Sequence, residues 1–297
     1  MNMPATPSDL QATIEELWVY PVKSCAGVRL PEAELTDTGL LYDRAWMVVD
    51  AQGHFVSQRE LPRMALIQPS FRMGQLVIKA PGMLALHLAL DAAESPARVR
   101  VWDDVIDACD MGDVAAQWFT DFLSPGAPAD LQKLRLARFD PQVMRRCDPA
   151  WTGDQEAYTQ FADGFGLLVA GRASLDDLNQ RLQAAGRAAV DMRRFRPNIV
   201  LGGLAAYDED RSGPMTITTA DGEAVIAPVK PCARCPIPDI DPDTAERGYR
   251  VSDTLQTYRQ DPRVGGAVTF GMNAIVTTGD GMVLREGQPV RADLRFD

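Results

Sequence analysis

Histidine is almost missing from this chain. Its 297 residues hold two, His54 and His87, so histidine-rich metal sites and histidine-based triads are hard to build. Long apolar runs are missing as well: none approaches the roughly 20 residues that a membrane helix needs. Met1–Glu16 has neither the basic start nor the apolar centre of a signal peptide, and reads as a short loose tail leading into a strand. A cytoplasmic protein with no membrane partner is expected. Basic charge is in deficit, with 41 acidic against 30 basic residues and a net charge of −11. That field repels phosphate backbones and argues against nucleic acid as a partner. No Walker loop, G-x-G-x-x-G or G-x-S-x-G is present, which removes the usual support for nucleotide folds and serine hydrolases. The five cysteines, Cys25, Cys109, Cys147, Cys232 and Cys235, are odd in number and scattered, and are expected to be reduced thiols.

What is present fits an ordinary globular chain of roughly two domains. Short apolar or alternating runs at Leu17–Tyr20, Ala45–Val49, His54–Ser57, Leu76–Ile78, Leu84–Leu88, Val99–Trp102 and Val105–Ile106 read as strands. Turns at Asp50–Gly53, Lys79–Gly82 and Asp103–Asp104 separate them. Strands so spaced predict a small barrel or sandwich. A helix follows from Asp113, with Val114, Ala115, Trp118, Phe119 and Phe122 on one face, and Ser124–Asp130 is the candidate domain boundary. Beyond it, Leu131–Arg138 and Leu167–Ala170 read as strands around a long excursion, Asp140–Gly166. Ser174 opens a helix with Asp177 as a capping partner, Leu175, Leu178 and Leu182 as its stripe, and Gly186 as its stop. Ile199–Leu201, Met215–Thr218, Glu223–Ile226, Val268–Thr277 and Val283–Val290 complete the strands.

The stretch Val229–Thr244 packs four prolines, three aspartates and Cys232-Ala-Arg-Cys235 into one loop. A C-x-x-C pair has several readings. Zinc needs a second ligand pair, and the other cysteines are isolated. A redox pair opens a helix, whereas Pro236 and Pro238 here favour an extended loop. A single thiolate ligand, with Arg234 beside it favouring the ionised form, and two small buried apolar residues remain as alternatives. Asp239, Asp241 and Asp243 fail the calcium-loop pattern at Thr244 and Arg250, and read as turn and capping residues. Lys23 with Ser24, Asp43 with Arg44, and Arg193-Arg-Phe-Arg-Pro-Asn198 place cations and amide or hydroxyl donors at strand edges, the equipment for gripping an anion. Gly271 permits close backbone approach, and Asn273 can hydrogen-bond in two directions.

In this order, Leu17-Trp-Val-Tyr-Pro-Val-Lys-Ser-Cys-Ala-Gly27, Asp43-Arg-Ala-Trp-Met47, Phe195-Arg-Pro-Asn-Ile-Val200, Glu209-Asp210, Cys232–Cys235, Asp241-Pro-Asp-Thr244, Leu255–Arg259 and Phe270-Gly271 resemble the MOSC proteins, nearest to the subgroup of the mitochondrial amidoxime-reducing component and its bacterial relatives without a ferredoxin domain. The resemblance implies a mostly β fold with some α: an N-terminal β-barrel domain (11–128) and a β-barrel-based MOSC domain with peripheral helices (129–297). It also implies a molybdenum–molybdopterin cofactor between them. Cys235 is then the metal ligand and the catalytic position, while Cys232 is a packed neighbour. Lys23, Ser24, Arg44, Arg196 and Asn198, with Asp163, Gly164, Ala233, Arg234 and Asn273, match cofactor-contact positions. Ala233 and Asn273 stand where the animal enzymes have serine and tyrosine, so side-chain contacts are not implied there. The implied reaction is reduction of amidoximes, hydroxylamines or N-hydroxylated bases. Because the chain stops at Asp297, the electrons are expected from an external donor protein of reductase, ferredoxin or cytochrome type. A sulfur carrier using a Cys235 persulfide and a non-catalytic cofactor carrier are the alternatives.

Overall fold

The computed structural model describes residues 8–295. Residues 1–7 of the expected loose tail lie outside them. The rest of that tail is not loose: a strand runs over Leu10–Val19, burying Leu10, Ala12 and Ile14 in alternation with exposed Gln11, Thr13 and Glu15. Its period of two is the mark of a half-buried strand, and Glu15 and Glu16 conceal it because they pair outward with Arg172.

Leu167–Gly171, Ile199–Gly202, Leu10–Val19, Pro289–Ala292, Met215–Thr219, Gly222–Ala233 and Ala267–Thr278 are hydrogen-bonded in that order, and the last pairs back onto the first. A seven-stranded barrel therefore closes, filled by Ile14, Leu17, Val169, Leu201, Ile217 and Ile226 among others. Closure leaves no free edge to attract another chain. The Leu167–Gly171 and Ile199–Gly202 strands are parallel, and helix Arg172–Ala184 supplies the crossover such a pair requires. Leu175, Leu178 and Leu182 form its buried stripe as expected, but the cap differs. The helix starts at Arg172 with Gly171 before it, and Ser174 instead donates to Glu209 Oε2 at 2.8 Å.

In the first half, Trp46–Val49, Arg135–Phe139, Asp104–Asp110 and Ser95–Val101 form a four-stranded antiparallel sheet, and Gln68–Arg72, Gln75–Lys79 and Leu86–Ala89 a three-stranded one. Trp46, Val48, Ile67, Ile78 and Leu136 pack with Phe119 and Phe122 of helix Gly112–Leu123 into one apolar cluster. Val114 is not on that helix's buried face; it is exposed, because the face centres on Ala115, Phe119 and Phe122. His54–Ser57 forms isolated bridges rather than a strand, since the backbone N–H of Ser57 turns onto the Glu60 carboxylate. Val283–Val290 splits into Val283–Arg285 and a strand from Pro289, each in a different sheet.

The expected boundary between 128 and 129 does not separate the sheets. Leu10–Val19 lies in the barrel of the second half, while Arg135–Phe139 completes the sheet of the first. Each half lends the other a strand. No helix among the described residues is long and apolar enough to cross a membrane.

Candidate active site

Strand Gly222–Ala233 carries the cysteine loop to its place. Its pairing with Ala267–Thr278 slips between Pro228 and Lys230 and again between Pro231 and Ala233. A proline has no N–H for the ladder, so the strand bulges at these residues and its end is re-aimed. The chain stays extended as far as Cys235. Pro236 then enters a helical conformation and Ile237–Asp239 forms a short 3-10 turn, where an extended loop was expected. The three aspartates hold this turn: Asp239 accepts from Ser252, and Asp241 accepts from the backbone N–H groups of Asp243 and Thr244. Arg193 and Arg194, expected with Arg196 as anion donors, are committed to Asp243 and Asp241.

All eleven residues singled out from the sequence line one cleft of about 390 Å³. The barrel supplies Cys235, Ala233, Arg234, Asn273 and, at a strand entrance, Arg196 and Asn198. The turn after Leu10–Val19 supplies Lys23 and Ser24, the segment before Trp46 supplies Arg44, and the long excursion supplies Asp163 and Gly164. Buried Arg145 fixes that excursion by donating to the carbonyls of Gln160 and Ala162 and to Asp104. Arg234 is placed otherwise than expected: its Nη1 lies 3.0 Å from Cys232 Sγ, so its charge serves Cys232 rather than Cys235. Cys232 is thus a half-buried, charge-contacted residue of the cleft and not merely a packed neighbour. All five thiols are free, and burial pushes Cys25 up to about 12 and Cys147 up to about 11, which makes both inert near neutral pH.

The cations have different environments. Lys23 is buried and already paired: Nζ donates to Asp163 Oδ1 at 2.6 Å and to Phe161 O at 2.8 Å. Burial pulls its pKa below the usual lysine value against the pull of Asp163. Desolvation raises Asp163, but Lys23, the Trp102 indole N–H at 3.1 Å and Arg59 outweigh it and hold the carboxyl well below its ordinary range. Arg44 donates to Asp43 at 2.5 Å, to Asn198 Oδ1 at 3.1 Å and to Arg196 O at 3.1 Å. Asn198 is spent on structure, since its amide also bonds Leu168 N and Trp18 O. Arg196 is the least compensated cation. Its Nη1 donates to Cys25 O at 2.6 Å, its guanidinium lies 4.3 Å from the Tyr20 ring, and its Nη2 is buried with no partner. Burial, with Arg44 nearby, pushes its pKa down to about 10.

Residues 11–125 match the MOSC N-terminal beta barrel domain, and residues 157–292 match the MOSC domain. Mitochondrial amidoxime reducing component 2 of Bos taurus is 34% identical over 258 residues, 83% of this chain and 72% of the relative. The Homo sapiens component 2 is 36% identical over 256 residues, 83% of this chain and 72% of its own length. The Homo sapiens component 1 is 36% identical over 263 residues, 84% of this chain and 73% of its own. The chain belongs to the family of MOSC-domain proteins that includes these amidoxime-reducing components.

Several cleft residues of this MOSC protein escape sequence reasoning. Phe55, Ser57, Arg59, Trp102, Phe165 and Ile237 also line the cavity. Phe55 and Ser57 fall in a stretch, His54–Ser57, that reads as an ordinary strand, and Arg59 lies just beyond it with no motif around it. Trp102 reads as the last residue of the strand Val99–Trp102, with the turn placed at Asp103–Asp104, whereas the turn is centred on Trp102 and Asp103. The unmet donors test what the cleft accepts. Arg196 Nη2 and Arg234 Nε are both buried without an acceptor, and Cys235 lines the same cleft. A buried donor left unpaired costs about 1–3 kcal/mol, so this wall fits an anionic ligand that also presents a thiophilic centre. Among the described residues no group of three or more His, Cys, Asp and Glu is placed to hold a metal ion. A metal on Cys235 must therefore bring its other ligands with it.

Proposed function

We propose that the cleft binds a molybdenum–molybdopterin cofactor through Cys235 and that the protein reduces N-hydroxylated compounds to amines or amidines. The observation that carries this reading is the convergence on one cleft of the Cys235 sulfur, beside a Cys232 already contacted by Arg234, and two unpaired guanidinium nitrogens, of Arg196 and Arg234. A phosphorylated pterin that chelates its own metal answers both needs, which a free metal ion would not. Such a group, when bound, supplies the electron pair and the oxygen acceptor that cleavage of an N–O bond requires, and water is the second product. The amidoxime-reducing names of the relatives support the same chemistry.

The chain's own residues then bind, orient and hold protons. Arg196 and Arg234 neutralise the anionic part of the cofactor, and Arg44 stiffens Arg196 by bonding its carbonyl. Ser24, Gly164 and Ala233 offer backbone and a near-absence of bulk, so that a flat ligand can lie close. Lys23 keeps its proton at Nζ against Asp163, and the third N–H of that ammonium is available to the cofactor or to the oxygen that leaves. Electrons come from a separate donor protein in this reading. The test is metal and pterin analysis of protein from a molybdenum-replete host, with benzamidoxime turnover on a chemical electron donor. About one molybdenum per chain with turnover supports the reductase. Molybdenum-free protein carrying a cyanide-labile sulfur would point to persulfide transfer, and loaded but inert protein to a carrier.

A further inference from the structure

Trp102 stands where a tryptophan is costly. Val101 pairs with Asp104, so Trp102 and Asp103 are the two central residues of a hairpin turn, and only the first has a positive φ, +55°. That is the turn type whose first position favours glycine. A bulky residue in the left-handed region is a genuine outlier, and such strain concentrates at ligand clamps. Burial does not account for it, because the residue remains 46% exposed. The ring is nevertheless fixed from several directions. Its N–H is on Asp163 Oδ1 at 3.1 Å, Phe55 meets it edge-on at 5.0 Å, and the Arg59 guanidinium lies 4.6 Å from it. Arg59 is itself held, its Nε donating to Ser57 Oγ at 3.1 Å. All three side chains line the cleft that contains Cys235.

We propose that Trp102, with Phe55 and Arg59, forms a stacking subsite at the rim of this cleft that favours planar, π-delocalised substrates over aliphatic ones. The proposal rests on the reductase reading for the identity of the substrate, but the subsite itself rests on the geometry. An indole and a guanidinium locked in mutual contact present flat, polarisable surface without further loss of side-chain freedom. An N-hydroxylated amidine conjugated to an aromatic ring, or a hydroxylated heterocyclic base, gains by lying against it. An aliphatic hydroxylamine has no such face to offer.

The test compares the cofactor-loaded wild type with Trp102→Gly and Trp102→Phe. Glycine removes the ring while suiting the turn, so that variant keeps its fold and its melting temperature. Calorimetric titration with benzamidine and with acetamidine reads the subsite without turnover. The wild type should prefer benzamidine by on the order of tenfold, the scale of a ring-on-ring contact. Trp102→Gly should lose that preference, and Trp102→Phe, which keeps a ring but no N–H, should retain most of it. With substrates, Trp102→Gly should raise the KM for benzamidoxime relative to that for an aliphatic hydroxylamine by a similar factor, and Trp102→Phe, which loses the same bond to Asp163, controls for any change in kcat. Equal binding of the two amidines by the wild type, or a preference that survives in Trp102→Gly, overturns the subsite. Protein that shows the Trp102-dependent preference but reduces no N-hydroxylated compound overturns the reductase reading and leaves the subsite standing.

Discussion

Replacing Arg196 with methionine should weaken the cofactor's hold while leaving the empty protein about as stable as before. The guanidinium's folded pKa is about 10, well below the ordinary arginine value. Between those values the unfolded chain binds the extra proton, so stability rises with pH there, and below pH 10 the whole penalty is present. At 1.36 kcal/mol per pH unit, keeping the charge costs the folded apoprotein roughly 3 kcal/mol. Methionine removes that penalty. It also removes the bond to Cys25 O, worth about 1.5 kcal/mol, and the contact with Tyr20, worth about 1 kcal/mol. The two sides nearly cancel. On the bound side, a charge-assisted hydrogen bond is lost, so cofactor affinity should fall by roughly 10- to 100-fold. Urea unfolding of apoprotein at pH 7, with molybdenum and pterin per chain after dialysis of the holoprotein, reads both quantities. Unchanged occupancy together with an apoprotein destabilised by more than about 2 kcal/mol would refute the reasoning and make Arg196 an ordinary structural cation.

The two cysteines should behave differently: Cys235→Ser protein should contain little molybdenum and Cys232→Ser protein most of it, and equal losses in metal analysis would mean that the loop rather than one sulfur holds the metal. Gly271 sits at φ +75° where the barrel closes, and an added Cβ would lie 2.7 Å from Val169 O. Gly271→Ala should therefore cost about 2 kcal/mol or more and lower the melting temperature, whereas an unchanged melt would show that the seam can shift. Asp163→Asn should leave Lys23 buried without its counter-ion. Because Asp163 has a folded pKa below its unfolded value, its stabilisation is full above about pH 4 and disappears as pH falls through the folded value. The melting difference between wild type and Asp163→Asn should accordingly be clear at pH 6 and shrink steadily as pH falls below about 4. A difference that persists in acid would assign it to packing instead.

Much of the fold was legible because it depends on local pattern. Period-two alternation located most strands, and Leu175, Leu178 and Leu182 marked the crossover helix. The pairing of distant strands was not legible. Nothing in Leu10–Val19 announces that it pairs with Ile199–Gly202 and Pro289–Ala292, nor in Arg135–Phe139 that it belongs between Trp46–Val49 and Asp104–Asp110. Those long-range partners decide where the halves interlock, and the composition shift at Ser124–Asp130 carries no sign that each half completes a sheet of the other. In the site, residue types and motif order brought together all eleven chosen positions, but not their charge partners. Arg234 precedes Cys235 by one residue and yet turns to Cys232, because extended neighbours point to opposite sides. Lys23 looked free and is paired, since Asp163 lies 140 residues away in sequence.

Backbone strain ties these observations together. Eight non-glycine residues among those described have positive φ, and four of them, Ser24, Arg44, Trp102 and Arg196, line the one cleft that holds Cys235. Each costs of order 1–3 kcal/mol unless its surroundings compensate, and none is the asparagine or glycine that tolerates this region. Stability alone would replace them. Retaining arginine at two such positions aims two guanidinium groups at one space, where ordinary backbone would direct them elsewhere. Asn198, buried and fully bonded, and Arg44, bonded to the Arg196 carbonyl, then lock that arrangement before any ligand arrives. The strain is thus spent on pre-organisation. Glycine at Arg196 should relieve the backbone yet weaken cofactor binding about as much as Arg196→Met does, and cofactor occupancy that stayed at the wild-type level in the glycine variant would refute a role for the charge that the strain places.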